Sequence, residues 1–295
     1  MLAHCGTHGS SGCETQGMTH ELRTFTDSDG LTISYEIFGS GRRTLIYMHG
    51  LLLDSHVNRR LAESLAAAGN KVILVDLPGH GRSDKPLHAS DHRMDKYATR
   101  IIHLMDDLGI RRAAVGGVSL GADVSLQITL QAPDRVKAMV LEMPVLERAT
   151  PVAALLFTPL LTATHYAKPV MRAVSRLAHK VPRDRIGRLD QVLGPLLLEP
   201  EEMVAVLHGV LVGPVAPTAE ERQAMTQPTL VIGHRSDRLH PFGDANRLAQ
   251  QLPNGSLLEA SSMTELRRNP ERLTAAIADF LADAWSTKTS VRRSA

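Results

Sequence analysis

The sequence predicts an α/β fold: a mostly parallel β-sheet covered by helices on both faces, with a helical segment inserted after the sixth strand. Short apolar runs alternate along the chain with stretches in which apolar residues recur at helical spacing. The apolar runs are continuous, as in strands that are buried on both faces of a parallel sheet. In such a sheet a ligand site is expected at the carboxyl ends of the strands.

The predicted elements begin with a β-hairpin, in which strands at 21–26 and 31–37 flank the turn dipeptide Asp29-Gly30. Further strands are predicted at residues 43–48, 71–76, 113–115, 136–143, 229–234 and 256–260. Helices are predicted around residues 61–68, 94–108, 120–131 and 245–252. Four polar residues fall at or near the ends of these strands: His49, Asp76, Ser119 and Glu142.

Ser119 lies at a strand-to-helix corner within Gly117-Val118-Ser119-Leu120-Gly121. This Gly-x-Ser-x-Gly pattern is typical of a nucleophile elbow. The corner is expected to strain the serine backbone, and only small residues such as Gly117 and Gly121 permit the close approach of the two elements. The corner also projects the hydroxyl beside a helix N-terminus, whose free N–H groups stabilise negative charge. Ser119 is therefore the predicted nucleophile.

Composition narrows the classes of partner. The chain has 295 residues, a formal net charge of +2 and no basic stripe, so neither nucleic acid nor an anionic membrane surface is indicated. The longest apolar run, at 152–161, is too short to span a bilayer. We expect no cofactor and no metal; four candidate ligands lie in a Gly/Ser-rich stretch that nothing anchors, namely His4, Cys5, His8 and Cys13. The expected partner is a small-molecule substrate, and the oligomeric state stays open.

Residues 1–18 are expected to form a disordered leader, or to precede a true start at Met18, because they lack apolar periodicity. They also lack the basic and apolar regions of a signal peptide. Both cysteines fall in this leader, so the folded part has none, which favours a reducing cytoplasm. Residues 287–295 are expected to form a disordered tail.

Three motifs resemble the α/β-hydrolase family. They are Tyr47-Met48-His49-Gly50, the segment Asp76-Leu77-Pro78-Gly79-His80-Gly81-Arg82-Ser83-Asp84 and the elbow, in the order and spacing of that family. The resemblance runs from about residue 21 to 285, apart from a middle segment. It implies that the backbone N–H groups of Leu51 and Leu120 form an oxyanion hole. It also implies that His49 and His80 are structural hydrogen-bonding residues.

The middle segment, residues 145–227, interrupts the strand–helix alternation with apolar helical stretches and several prolines. The α/β-hydrolase family carries its lid at this place, so the resemblance implies a helical lid on a core formed by 19–144 and 228–286. Phe157 and Leu160 are expected to help shape an acyl-sized or terpenoid-sized pocket, while other apolar residues of the lid bury against the sheet domain.

Asp237 follows the predicted strand at 229–234, and the resemblance implies that it is the acid of a catalytic triad. Its role would be to orient an imidazole and stabilise the cationic form of that ring. The alternative is that Asp237 caps the helix around residues 245–252.

The histidine of a standard triad is missing. The family places it after the last strand, where this chain has Met263, and no histidine follows His240. We therefore expect His240, three residues after Asp237, to supply the base, with Asp237 or Glu142 as its carboxylate partner. Three alternatives stay open, namely His208 from the lid, Glu265 as a weak base, or true loss of the base.

The prediction from these residues is a cytoplasmic serine hydrolase that cleaves an ester, thioester or lactone of a small, moderately apolar molecule through an acyl-enzyme. Ser119 would attack, His240 with Asp237 would move the proton, and the N–H groups of Leu51 and Leu120 would bind the oxyanion. The alternatives are a small-molecule-binding pseudoenzyme on the same fold and a non-hydrolytic, lyase-type member.

Overall fold

The computed structural model describes residues 20–180 and 197–286. An eight-stranded sheet in the order β1-β2-β4-β3-β5-β6-β7-β8 forms its centre. The strands are β1 Glu21–Thr26, β2 Thr32–Phe38, β3 Arg43–Met48, β4 Asn70–Val75, β5 Ala113–Val118, β6 Val136–Glu142, β7 Thr229–Gly233 and β8 Gly255–Glu259. Only β2 opposes its neighbours, and all pairs from β4 to β8 are parallel. The predicted mostly parallel sheet is confirmed.

Ten α-helices lie in the described residues. They are α1 Arg59–Ala67, α2 Met94–Asp107, α3 Leu120–Gln131, α4 Ala149–Tyr166, α5 Lys168–Ala178, α6 Pro200–Val212, α7 Ala219–Gln223, α8 Phe242–Gln251, α9 Glu265–Arg268 and α10 Glu271–Ser286. None of them is long and apolar enough to cross a membrane. The predicted leader and tail lie outside the described residues, and so do residues 181–196 of the predicted lid.

Helices cover both faces of the sheet because successive strand residues point to opposite sides. In β3, Ile46 and Met48 pack into a core cluster with residues of α2, α3 and α8. Leu45 and Tyr47, which alternate with them, pack into a second cluster with residues of α1 and α10. The continuous apolar strands therefore supply both layers of the core.

Helices α4 to α7 lie between β6 and β7, the place where the sequence predicted a helical insertion. A third apolar cluster, built around Leu52, Met203 and Val206, joins α6 to the loop after β3. Phe157 of α4 and Met171 of α5 pack against this cluster. The cluster therefore connects the inserted helices to a strand-end loop of the sheet domain.

Candidate active site

Ser119 adopts the strained backbone that its corner position predicts. Its φ of 53° and ψ of −113° lie in a region that L-residues rarely occupy. The Ser119 N–H donates a 2.8 Å hydrogen bond to the main-chain oxygen of Glu142, at the end of β6. This bond ties the corner to the neighbouring strand and helps to hold the strained conformation.

Gly117 and Gly121 are required by close backbone contacts. A Cβ on Gly121 would lie 2.5 Å from the carbonyl oxygen of Met48, and one on Gly117 would lie 2.6 Å from the same oxygen. Both distances are shorter than a side chain tolerates, because the neighbour is backbone and cannot move aside. The expectation that small residues flank the serine therefore has a direct steric cause.

His240 bridges the serine and the acid. Its Nε2 lies 2.9 Å from Ser119 Oγ, and its Nδ1 lies 2.9 Å from Asp237 Oδ2. When Nδ1–H donates to the carboxylate, Nε2 is the acceptor for the serine hydroxyl. The structure thus brings together the three side chains that the sequence selected, in the order nucleophile, imidazole, carboxylate.

Asp237 also fixes the loop on which the histidine lies. Its Oδ1 accepts 2.8 Å hydrogen bonds from the N–H groups of Leu239 and His240. Burial favours a higher pKa for Asp237, but the hydrogen bonds from the ring and backbone of His240 outweigh it and lower the pKa. The carboxylate is therefore ionised at neutral pH. Asp237 does not cap α8, whose N-cap residue is Pro241.

Leu51 and Leu120 lie beside Ser119 in the wall of the same cavity. Within the described part of the chain neither backbone N–H donates a hydrogen bond. His49 holds the loop before Leu51, because its Nδ1 donates to Gly50 O at 2.8 Å and its Nε2 accepts from Leu77 N–H at 3.0 Å. Both amides are thus available as donors at the serine.

The cavity at Ser119 has a volume of about 290 Å³ and a mainly apolar wall. Helix α4 contributes four of its residues, namely Thr150, Ala153, Ala154 and Phe157. Leu160 does not line the cavity; it packs instead against the cluster around Met203. The expectation for Leu160 was wrong, because Phe157 reaches both the cavity and the third cluster, whereas Leu160, about one helical turn further on, reaches the cluster and not the cavity.

The other candidate bases lie elsewhere. His208 of α6 is exposed and is not part of the cavity wall. Glu265 accepts hydrogen bonds from Ser261 N–H, Ser261 Oγ and Arg272. Met263, at the position where the family carries its histidine, lines the cavity. Among the candidates only His240 contacts the serine.

Arg267, which no sequence motif indicated, lies in the cavity wall. Its guanidinium pairs with the carboxylate of Glu142 and donates to Asn58 Oδ1 at 3.0 Å. Tyr47 donates a 3.0 Å hydrogen bond to the other oxygen of Glu142. Glu142 is therefore occupied by this buried network and does not serve as the partner of His240.

Comparisons with known proteins agree with the fold. Residues 43–167 match the family model described as alpha/beta hydrolase fold. A 2-hydroxy-6-oxononadienedioate/2-hydroxy-6-oxononatrienedioate hydrolase of Pseudomonas putida is 29% identical over 77% of this chain and 82% of that protein. The uncharacterized hydrolase YugF of Bacillus subtilis is 26% identical over 88% and 97%, respectively.

Solved structures show the same architecture. The enol-lactonase from Burkholderia xenovorans superposes with a TM-score of 0.71 at 18% identity, covering 88% of this chain and 100% of that one. A thermophilic esterase from Thermogutta terrifontis gives a TM-score of 0.66 at 21% identity, covering 90% and 99%. The chain has the α/β-hydrolase fold.

Proposed function

We propose that this protein is a serine hydrolase that cleaves an ester, thioester or lactone of a small, moderately apolar molecule through an acyl-enzyme. The observation that carries the proposal is the continuous hydrogen-bonded chain from Ser119 Oγ through His240 to Asp237. A serine hydroxyl needs such a base to be nucleophilic at neutral pH. The relatives named as hydrolases and esterases support the general class.

Each residue has a role in the proposed reaction. Ser119 Oγ attacks the substrate carbonyl while His240 Nε2 takes its proton, and Asp237 stabilises the imidazolium that results. The N–H groups of Leu51 and Leu120 bind the oxyanion of the tetrahedral intermediate. The imidazolium then protonates the leaving alcohol or thiol, and a water activated by the same ring hydrolyses the acyl-enzyme.

The cavity wall favours an uncharged substrate. Among the described residues that line it, Arg267 is the only lysine or arginine, and its charge is already neutralised by Glu142. A dicarboxylate, as in the names of several relatives, would leave its charges in an apolar cavity without a cation. The apolar wall instead suits an acyl or cyclic aliphatic group.

We further propose that the segment 145–227 acts as a lid, because Phe157 and three other residues of α4 close one side of the cavity.

A hydrolase of small molecules without cysteine in residues 14–295 suits a reducing compartment, and we assign the protein to the cytoplasm.

The proposal is tested by the release of p-nitrophenol from p-nitrophenyl esters of increasing acyl length. Acyl-enzyme chemistry predicts a burst stoichiometric with the protein, followed by slower turnover. Ser119→Ala is the control and should abolish both phases. Tight binding of such esters with neither burst nor turnover would favour the alternative of a binding protein on this fold.

A further inference from the structure

Helix α4 is apolar on the side that faces solvent as well as on the side that packs inward. Its outer stripe at helical spacing includes Val152, Leu155, Leu156 and Tyr166, whose exposed fractions are 37%, 77%, 54% and 81%. Across Ala149–Tyr166 there is no Asp, Glu, Lys or Arg. A helix that is apolar all round is normally buried, so this exposed stripe indicates a partner.

Helix α5 is separated from α4 by one residue, and all of its charged side chains are basic. Val170 and Leu177 are 63% and 67% exposed. Four basic residues recur at every fourth position, namely Lys168, Arg172 and Arg176 in α5 and Lys180 two residues after its end. The whole stretch 149–180 contains no acidic residue. Glu201 of α6 pairs with Lys168 and Arg172, whereas Arg176 and Lys180 have no acidic partner among the described residues.

Helices α4 and α5 pack on one apolar cluster of the inserted segment. Phe157 of α4 and Met171 of α5 both pack against the cluster around Met203 and Val206. The exposed apolar residues of α4 lie on the opposite side of the helix from Phe157, and Val170 and Leu177 of α5 lie about 100–120° round the helix from Met171. We name the exposed apolar residues of the two helices, together with Arg176 and Lys180, the α4–α5 surface.

We propose that the α4–α5 surface docks on an anionic phospholipid bilayer, a partner that the net charge of the whole chain did not indicate. Apolar side chains that enter the acyl boundary, flanked by Lys and Arg at the headgroups, are typical of helices that lie in the membrane interface. None of the described helices is suited to span the bilayer. A second copy of the chain fits less well, because a symmetric pairing would bring the basic flanks of two identical surfaces together.

Vesicle flotation of the full-length protein tests the proposal. The protein should float with vesicles of phosphatidylcholine and phosphatidylglycerol, and much less with phosphatidylcholine alone, and added salt should weaken the association. Leu155→Ser/Leu156→Ser should weaken binding about tenfold or more through lost apolar contact. Leu22→Ser/Leu87→Ser is the matched control, because Leu22 and Leu87 are 50% and 60% exposed outside this surface.

A double charge-reversal variant separates the electrostatic contribution to membrane binding from the apolar one. Arg176→Glu/Lys180→Glu should weaken binding to anionic vesicles about tenfold or more and remove most of the salt dependence. Arg42→Glu/Arg111→Glu reverses two exposed arginines that lie just before β3 and β5, at the amino ends of these strands. This variant should bind anionic vesicles nearly as well as the wild type. Circular dichroism of each variant confirms that it is folded.

Three results would overturn the proposal. They are absence of flotation with anionic vesicles, equal loss of binding in test and control variants, and a concentration-dependent dimer that the Leu155→Ser/Leu156→Ser change disrupts in the absence of lipid. The test does not depend on hydrolysis, since Ser119→Ala should float as the wild type does. A failure of the proposed enzymatic function is therefore distinguishable from a failure of membrane docking.

Discussion

At the scale of single residues, the site depends on the three-residue spacing between Asp237 and His240. One oxygen of the carboxylate holds the backbone of this short loop, and the other holds the ring. The acid and the imidazole therefore form a unit that is assembled within one loop after β7. A second loop is not needed to deliver the histidine, which explains how Met263 is compatible with the proposed chemistry.

Loss of the imidazole should affect turnover as strongly as loss of the nucleophile. We expect His240→Ala and Ser119→Ala each to lower kcat by about 10³-fold or more, and the double variant to lose little further, because the two residues act as one unit. Steady-state kinetics on the best p-nitrophenyl ester would measure this. Additive losses in the double variant would show that the two side chains act independently.

A second prediction concerns Asp123 and the pH dependence of stability. Burial raises its pKa well above the usual value; Oδ1 accepts a 3.1 Å hydrogen bond from Val145 N–H, and Oδ2 has no partner among the described residues. Because the folded-state pKa is raised, stability is greatest below the unfolded-state pKa and falls as pH rises through the folded-state value. Asp123→Asn removes this pH-dependent loss and should therefore raise the free energy of unfolding at neutral pH.

Denaturant unfolding of the two proteins across acidic to neutral pH measures this difference. The stability advantage of Asp123→Asn should grow with rising pH. The wild-type carboxyl is ionised in the unfolded chain and must take up a proton when the protein folds, which becomes less favourable as pH rises. Asp279→Asn, an exposed position on α10, is the matched control. An advantage that is constant with pH would mean that ionisation of Asp123 is not the cause.

At the scale of elements, α4 determines the shape of the cavity, and only one side of the helix does so. Phe157→Ala should enlarge the cavity and shift preference toward longer acyl chains, with KM altered more than kcat for acylation. Leu160→Ala removes a comparable apolar side chain one turn away, but outside the cavity wall. It should lower stability without a change in chain-length preference, as profiles of kcat/KM against acyl length would show.

Local elements were predictable from the sequence because their causes are local. The elbow at Ser119 follows from the glycine spacing and the apolar strand before it, and the structure shows the expected strain. The outward direction of Leu155 and the inward direction of Phe157 were not predictable, because α4 has apolar residues on both faces. Periodicity cannot orient a helix that has no polar side.

At the scale of the whole molecule, the parallel sheet brings distant loops to one edge. Ser119 and His240 lie 121 residues apart in the chain, yet the carboxyl ends of β5 and β7 place them in contact. The sequence could select His240 by its position after a strand, but the contact itself depends on the strand order. Arg267 escaped prediction for the same reason, since its partners Glu142 and Asn58 are remote in sequence.

The division into core and lid predicts where a protease cuts first. Helices α4 and α5 pack mainly on α6 and on each other, whereas β3 to β7 are held by strands on both sides. We expect the first cuts by trypsin or thermolysin to fall between residues 145 and 227, mapped by mass spectrometry. First cuts within β6 would mean that the division is wrong.

The central claim, that His240 activates Ser119, is tested most directly by the rate of covalent labelling with a fluorophosphonate, which requires no knowledge of the substrate. The wild type should label rapidly at Ser119, and Ser119→Ala should not label. His240→Ala should slow labelling by about 10²-fold or more, because the hydroxyl loses its base, while His208→Ala should label at the wild-type rate. Rapid labelling of His240→Ala, or slow labelling of His208→Ala alone, would contradict the claim.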